Sequence, residues 1–345
     1  MIVDMGNNPR RSFNTVKQSN RTQRAKRQRM EAIALLSICA VIILIILTLL
    51  VWGGFAVANA ISGGGSDTGT TPPPSTGDGP QSDAQLSYVQ KTTASANVHE
   101  GELIVVNEKN SLAYIFPTSL DLLLMNDIRI AQNGVNPYQT QYLRSDEKLQ
   151  SAAAHAVNRM LTDFYLKYED TSLILMDTHR TQEEQERYST PVGYSEHHTG
   201  YVFTIKTYNN VGKAVPLMQN VAGQWIYDNC HKYGIICRYP ESKSDATGVG
   251  GYDYCFRYVG VAHATYMYQN NLCLEEYVSL LRGGYSPEAP LSFTGADGNA
   301  YLVYYVKAAD TEITTLRVPK DYAYTVSGDN SQGFIVTANL SQPNA

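Results

Sequence analysis

One uncharged apolar run constrains this chain more than any other feature. Residues 32–58 contain no charged side chain, and Ser37 and Thr48 are their only hydroxyl residues. A helix of roughly 20 apolar residues spans a bilayer core, so the run is long enough to cross a membrane. A cleaved signal peptide is the alternative, because AVANA at 56–60 offers small residues, but such peptides have an apolar core of only about 7–15 residues. We therefore predict an uncleaved transmembrane helix.

The charges on either side of this run predict its orientation. Residues 1–31 carry eight Lys or Arg side chains, whereas acidic side chains outnumber basic ones in the rest of the chain. Basic flanks stay on the cytoplasmic side, which predicts a single-pass protein of the cell membrane with a cytoplasmic N-terminus and an extracytoplasmic main domain. The acidic main domain gives no reason to expect a nucleic-acid partner.

The remaining chain divides into a linker and two folded segments. Residues 59–88 are rich in Gly, Ser, Thr and Pro, a composition typical of a disordered tether. Strand and helix patterns mix without regular βαβ alternation over residues 89–285, which predicts the α+β class. Residues 286–345 carry four strand patterns and form a predicted β-rich extension. We expect the folded part to start near Leu103, at the strand-like run LIVV.

Hydrophobic periodicity predicts the individual elements. Ser145 and Asp146 are suited to cap a long helix in which Ala153, Val157 and Leu161 share one face. Further strands are predicted at residues 172–176, 201–208, 235–240 and 255–260, and a helix at residues 216–233 with its stop at Gly234.

Five short motifs resemble those of VanY-type D-alanyl-D-alanine carboxypeptidases in order and spacing. That family comprises zinc peptidases that trim the D-Ala-D-Ala end of peptidoglycan stems. The resemblance covers about residues 103–281 and implies a mixed domain with the Hedgehog/DD-carboxypeptidase-like fold. The motifs are DTHRTQEEQ (177–185), SEHHTGYVFT (195–204), YGIICRYP (233–240), Thr-Gly (247–248) and YDYCFRYVG (252–260).

The resemblance also assigns the metal and catalytic positions. In the family, zinc is held by the histidine of Ser-Glu-His, an aspartate seven residues later and the histidine of Glu-Pro-Trp-His, whose glutamate is the general base. Here His197 retains the first ligand position, but Thr204 and Cys255 stand at the other two. Tyr252 stands at the position of the base. The family positions that hold substrate are occupied by Arg180, for the terminal carboxylate, Thr181, Gln185 and Ser195.

These replacements predict a catalytically degenerate protein. Catalytic zinc requires about three protein ligands, and a neutral threonine hydroxyl is a poor one. A tyrosine would need its pKa lowered by roughly three units, about 4 kcal/mol, to act as a base at neutral pH. We therefore expect no cofactor in this chain, although the resemblance implies zinc in the family. The expected partner is a peptidoglycan stem peptide ending in D-Ala-D-Ala, or an envelope protein.

Three alternatives remain open at this point. Arg180 could simply pair with Glu183, Glu184 or Asp177. An active zinc carboxypeptidase could use a remodelled site in which Cys255 binds the metal with help from His198 or Asp253. A scaffold without ligand could have its cleft filled by aromatic side chains, namely Tyr201, Phe203, Tyr252 and Tyr254.

Four cysteines lie in the predicted extracytoplasmic region, where disulfides are permitted. They are Cys230, Cys237, Cys255 and Cys273. The resemblance makes the strands of Cys237 and Cys255 neighbours, so a bridge between these two and four buried free thiols both remain open.

Overall fold

A computed structural model describes residues 86–344, apart from 109–115, 117–119, 129–140, 143–144, 171, 209–212 and 220. The described residues all belong to one compact unit, Thr76–Ala345. The predicted basic tail, the transmembrane helix and all but the end of the predicted linker lie outside the described residues. Within the described part, no helix combines the length and apolar character needed to cross a membrane.

A mixed sheet forms the centre of the α+β domain. Its strands lie in the order β3 (Gln141–Tyr142), β5 (Leu173–Met176), β6 (Val202–Tyr208), β9 (Tyr252–Tyr258) and β8 (Ile235–Tyr239), and β7 (Ala214–Val215) pairs with β6. Only the β3–β5 pairing is parallel. The four strands predicted from the sequence are therefore β5, β6, β8 and β9, with ends that differ by a few residues.

The two faces of strand β6 have different surroundings. Its side chains alternate, as successive residues of a strand must. Phe203 and Ile205 are fully buried in the main core, whereas Thr204 and Lys206 point toward a cavity on the other face. In the ladder, Thr204 stands directly opposite Met176 of β5 and Cys255 of β9.

Six α-helices lie wholly within the described residues, and residues 125–128 are also helical. The long helix α1 buries Ala153, Val157 and Leu161 in the main core, as predicted. It begins at Ser151, later than expected, because Lys148–Gln150 form strand β4 and pair with β2 (Leu122–Leu124). The helices are α1 (Ser151–Tyr168), α2 (Gln182–Gln185), α3 (Val221–Asn229), α4 (Ser244–Thr247), α5 (Val261–Gln269) and α6 (Leu274–Gly284).

The helix predicted over residues 216–233 is split into three pieces. A 3-10 turn precedes α3, and a second 3-10 turn, Cys230–Tyr233, follows it. Gly234 ends this segment with φ 79°, a left-handed conformation that costs glycine little. The predicted stop is confirmed, and the chain passes directly into β8.

The C-terminal extension forms its own antiparallel sheet. The strand order is β10 (Leu291–Thr294), β11 (Ala300–Lys307), β14 (Gly333–Pro343) and β13 (Tyr322–Gly328). Strand β12 (Ile313–Pro319) is not part of this sheet. It pairs with β1 (Tyr88–Ala94) over seven residue pairs. Regular structure within the described residues therefore begins at Tyr88 and not near Leu103, because the mostly polar strand β1 pairs with a strand of the extension.

The run LIVV at 103–106 is buried but is not a strand. The backbone N–H of Leu103 donates to Ser327 Oγ at 2.9 Å, and the carbonyl of Val105 accepts from Asn330 Nδ2 at 2.9 Å. Side chains of β13 and of the turn after it thus satisfy polar groups that a neighbouring strand would otherwise satisfy. The predicted strand is wrong, although the predicted burial is right.

Candidate functional site

An open cavity of about 710 Å³ lies on the face of the central sheet that carries Thr204. Most residues that the motifs single out meet in it, although they are distant in sequence. Those that line the cavity are Arg180, Ser195, His197, Thr204, Tyr252 and Cys255. Thr181 and Gln185 do not line it.

His197 is held in the orientation of a metal ligand. It lies on the 3-10 turn Glu196–Thr199, whose N-cap Ser195 accepts a hydrogen bond from the His197 N–H at 3.4 Å. Its Nδ1 donates to the Thr178 carbonyl at 2.9 Å, which leaves Nε2 without a proton. Burial, reinforced by the positive charge of Arg180, lowers the pKa of His197 to about 4, so the ring is neutral at pH 7. This tautomer binds metals through Nε2.

The two other metal positions lie side by side but do not offer suitable donors. Thr204 and Cys255 are directly opposite each other across β6 and β9. Burial raises the pKa of the Cys255 thiol to about 12, with the nearby Glu196 adding to the effect. Thr204 offers only a neutral hydroxyl, which is a poor zinc ligand, and no group of three His, Cys, Asp or Glu side chains among the described residues is arranged to hold a metal ion. The residues present do not fit catalytic zinc.

The position of the general base is occupied by an aromatic pair. Tyr252 is 48% exposed and packs edge-on against Tyr254, with ring centroids 5.7 Å apart. The expected aromatic filling of the cleft is only partial, because the other two rings face elsewhere. Phe203 stacks on Phe256 in the core, and Tyr201 stacks on Tyr258. The cavity stays open.

Arg180 is already engaged by its neighbours. Its Nη2 lies 3.2 Å from Asp177 Oδ1, and its Nη1 donates to Gln185 Oε1 at 3.2 Å. The guanidinium also lies 3.6 Å from the ring centroid of Tyr188. Of the three acids considered from the sequence, Asp177 is thus the partner, and Arg180 both lines the cavity and belongs to an internal ion pair.

Thr181 and Gln185 belong to the segment that positions Arg180. Thr181 is the N-cap of α2, where it forms a reciprocal capping box with Glu184. Gln185 is fully buried, and its Nε2 donates to the Thr190 carbonyl at 2.8 Å. The structure places both side chains in the local framework around Arg180.

His198 and Asp253 do not complete a metal site either. His198 Nδ1 donates to the Arg180 carbonyl at 2.9 Å, and its Nε2 accepts from the Gly193 N–H at 3.3 Å. Asp253 Oδ1 accepts from the Glu241 N–H at 3.3 Å. Neither side chain lines the cavity that contains His197.

A group of four charges, three of them buried, lies beside the cavity, which Glu196 helps to line. We call Glu196, Arg238, Arg257 and Glu275 the ion cluster. Arg238 lies 2.8 Å from Glu196 and 2.6 Å from Glu275. Arg257 Nη1 lies 2.7 Å from Glu196 Oε1, a close ion pair that does not have hydrogen-bond geometry, and its Nη2 donates to two backbone carbonyls. The cluster ties the turn that carries His197 to β8, β9 and α6.

The two arginines of the ion cluster keep Glu196 ionised. Burial alone would raise the pKa of Glu196, but Arg238 and Arg257 outweigh it and bring the pKa down to about 2. The motif resemblance assigns these residues no role. The available signal was that Glu196, Arg238 and Arg257 are charged residues within three of the motifs.

The cysteines are all free thiols in the described part of the chain. Strands β8 and β9 are neighbours, as expected, but Cys237 is in register with Phe256 and not with Cys255. Cys237 therefore packs against the main core while Cys255 lines the cavity on the other face. The bridge between these two, left open by the sequence, does not form.

Comparison with known proteins places this site in a family. Residues 134–261 match the sequence model of VanY D-alanyl-D-alanine carboxypeptidase. A D-alanyl-D-alanine carboxypeptidase of Enterococcus faecium is 29% identical over 259 residues, which cover 72% of this chain and 78% of that protein.

One solved structure shows the same fold, and a second is reported beside it. The vancomycin-resistance D,D-dipeptidase VanXYg, in complex with a D-Ala-D-Ala phosphinate analogue, is similar with a TM-score of 0.61 and 21% identity, over 73% of this chain and 99% of that chain. The D,D-pentapeptidase VanY of a VanB-type resistance cassette, in complex with Zn(II), gives a TM-score of 0.39 and 22% identity, over 52% of this chain and 99% of that one. Residues 134–261 of this chain thus carry the sequence signature of the VanY-type D-alanyl-D-alanine carboxypeptidases.

Proposed function

We propose that this protein is a membrane-anchored, extracytoplasmic member of the family that binds peptidoglycan stem peptides ending in D-Ala-D-Ala without cleaving them. One observation carries the proposal. The cavity is open and keeps the framework of the family site, yet its metal and base positions hold Thr204, Cys255 and Tyr252. A site of this kind can recognise a peptide but has lost the groups that activate water.

The loss of catalysis follows from two missing contributions. A general base typically contributes about 10²–10⁴ in rate, and no carboxylate stands at its position. The metal that would polarise the peptide carbonyl and lower the pKa of water needs ligands that His197 alone does not provide. Because both contributions are absent together, we expect no measurable turnover.

The case for binding rests on what the cavity retains. A volume of about 710 Å³ falls within the roughly 300–1,000 Å³ typical of small-ligand sites. Ser195 and Tyr194 line it beside His197 and supply polar groups for a peptide. The related VanXYg was solved with a D-Ala-D-Ala phosphinate analogue, which supports a ligand of the same class here.

Titration calorimetry with the full-length chain tests the proposal. We expect saturable binding of a D-Ala-D-Ala tripeptide and no release of D-alanine over prolonged incubation. Absence of heat at millimolar peptide would contradict the proposal and favour a ligand-free scaffold or an envelope-protein partner.

An active enzyme with a remodelled metal site is the second candidate, because His197 keeps the tautomer of a ligand. It would show stoichiometric zinc and D-alanine release that disappears in His197→Ala. That result would replace the non-catalytic proposal.

The proposed location rests on the apolar run 32–58 and its basic flank. Protease added outside intact cells should remove the chain beyond residue 62 and spare the N-terminus. Protection of the main domain in intact cells, with cleavage only after lysis, would contradict this topology.

A further inference from the structure

Two cationic side chains line the cavity, and they differ in what already surrounds them. Arg180 has one nitrogen paired with Asp177, another bound to Gln185 and its face covered by Tyr188. Its Nε is buried and has no hydrogen-bond partner among the described residues. The charge of Arg180 is therefore largely committed inside the protein.

Lys206 is the other cation, and its ammonium is uncommitted. It lies on β6 two residues beyond Thr204, so both side chains point to the cavity face. Its Nζ sits 4.7 Å from the ring centroid of Tyr254 and makes no ion pair or hydrogen bond with any of the described residues. A ring contact attracts the positive charge but leaves the three N–H donors of an ammonium available.

This difference decides where a ligand carboxylate is best received. At Arg180 it would compete with Asp177 for the same guanidinium and would lie close to that like charge. Glu108 and Asp245 also line the cavity and repel an anion from their own surroundings. At Lys206 a carboxylate gains a charge-assisted hydrogen bond without displacing an internal partner.

We propose that Lys206, supported by the ring of Tyr254, binds the terminal carboxylate of the peptide. This assignment rests on the proposed stem-peptide function and moves the recognition of the carboxylate away from Arg180, the residue to which the family resemblance gives it. Tyr254 also contacts Tyr252. The ammonium of Lys206 thus lies against a pair of aromatic rings, one of which stands at the position of the family's base.

Calorimetry with two matched probes tests this assignment. The probes are diacetyl-L-Lys-D-Ala-D-Ala and the same tripeptide as its C-terminal amide, each titrated into the full-length chain. A charge-assisted hydrogen bond is worth about 1.5–3 kcal/mol, which corresponds to a preference for the free carboxylate of about tenfold or more. Lys206→Gln should remove this preference, whereas Lys206→Arg should retain it.

Lys307→Gln is the matched control, because Lys307 is exposed at the end of β11 and does not line the cavity. It should bind both probes as the wild type does. If Lys206→Gln keeps the full preference, the assignment is wrong while stem-peptide binding stands. If the wild type binds both probes equally, no cation reads the carboxylate and the assignment is again wrong. If the wild type binds neither, the proposed function fails and the assignment fails with it.

Discussion

The ion cluster and the cavity floor are adjacent, but they differ in charge. We define the cavity floor as Thr204, Tyr252 and Cys255. Beside it, each charge of the ion cluster faces an opposite charge within about 3 Å. On the floor all three side chains are neutral, where the motif resemblance implies two carboxylates and an imidazole. Residues of both regions share the same motifs, so retention of a motif reports the framework and does not by itself report the chemistry.

Buried charge explains why the two regions differ. Arg238 and Arg257 are fully buried, and removing one partner of such a group leaves an uncompensated charge that costs about 3–5 kcal/mol. Thr204 and Cys255 of the floor are buried as well, but a neutral side chain leaves no charge without a partner. Stability therefore requires the charges of the cluster and places no such requirement on the floor.

The largest expected effect comes from neutralising the acid at the centre of the cluster. Glu196→Gln leaves two buried guanidiniums short of a negative partner, so we expect the free energy of unfolding to fall by about 3–5 kcal/mol. Tyr252→Phe, on the exposed part of the floor, should change it by less than about 0.5 kcal/mol. Urea denaturation measures both, and equal effects would contradict the contrast between the two regions.

Acid should weaken the cluster in a defined pH range. The pKa of Glu196 is about 2 in the folded chain against a usual 4.5, so its contribution is fully present above about pH 4.5 and is lost as the pH falls toward 2. The linked stability is on the order of 3 kcal/mol. Denaturation curves of the wild type should show this loss, and Glu196→Gln should lack it. A wild-type stability that does not fall between these pH values would contradict the ionised cluster.

Arg180 should behave as part of the framework. Arg180→Ala strands the buried Gln185 and leaves Asp177 unpaired, so we expect a loss of about 1–3 kcal/mol in the free energy of unfolding. Thr181→Ala removes only the cap of α2, which typically costs about 1 kcal/mol. Thermal melting compares the two variants. An unchanged melting temperature for Arg180→Ala would mean that Arg180 has no structural role.

Local patterns predicted the elements of the central domain well. The alternation in VFTIKTY and the helical spacing of Ala153, Val157 and Leu161 reflect which face each element buries, and this information is local. Strand β1 was not predicted, because YVQKTTA is largely polar and its partner β12 lies more than two hundred residues away. The predicted strand LIVV was wrong for a related reason, since its backbone groups bond to β13 and the following turn, which are more than two hundred residues away.

The sequence predicted only those site residues that lie within the motifs. Spacing brought His197, Thr204, Tyr252 and Cys255 into one cavity, as the resemblance implies. It did not reveal the ion cluster, because Glu196 and Arg238 are 42 residues apart and Glu275 lies outside every motif. Pairing of buried charges depends on tertiary packing, which a single sequence does not display.

The central claim is that three substitutions, and not the fold, have removed the metal site. Zinc content of the purified full-length chain tests it directly, in the wild type and in the triple variant Thr204→Asp, Tyr252→Glu, Cys255→His. The variant restores the ligands and the base beside a His197 that is already oriented by Thr178. We predict no stoichiometric zinc in the wild type and about one zinc per chain in the variant, lost again on adding His197→Ala. Stoichiometric zinc in the wild type, or a folded triple variant without zinc, would contradict this account.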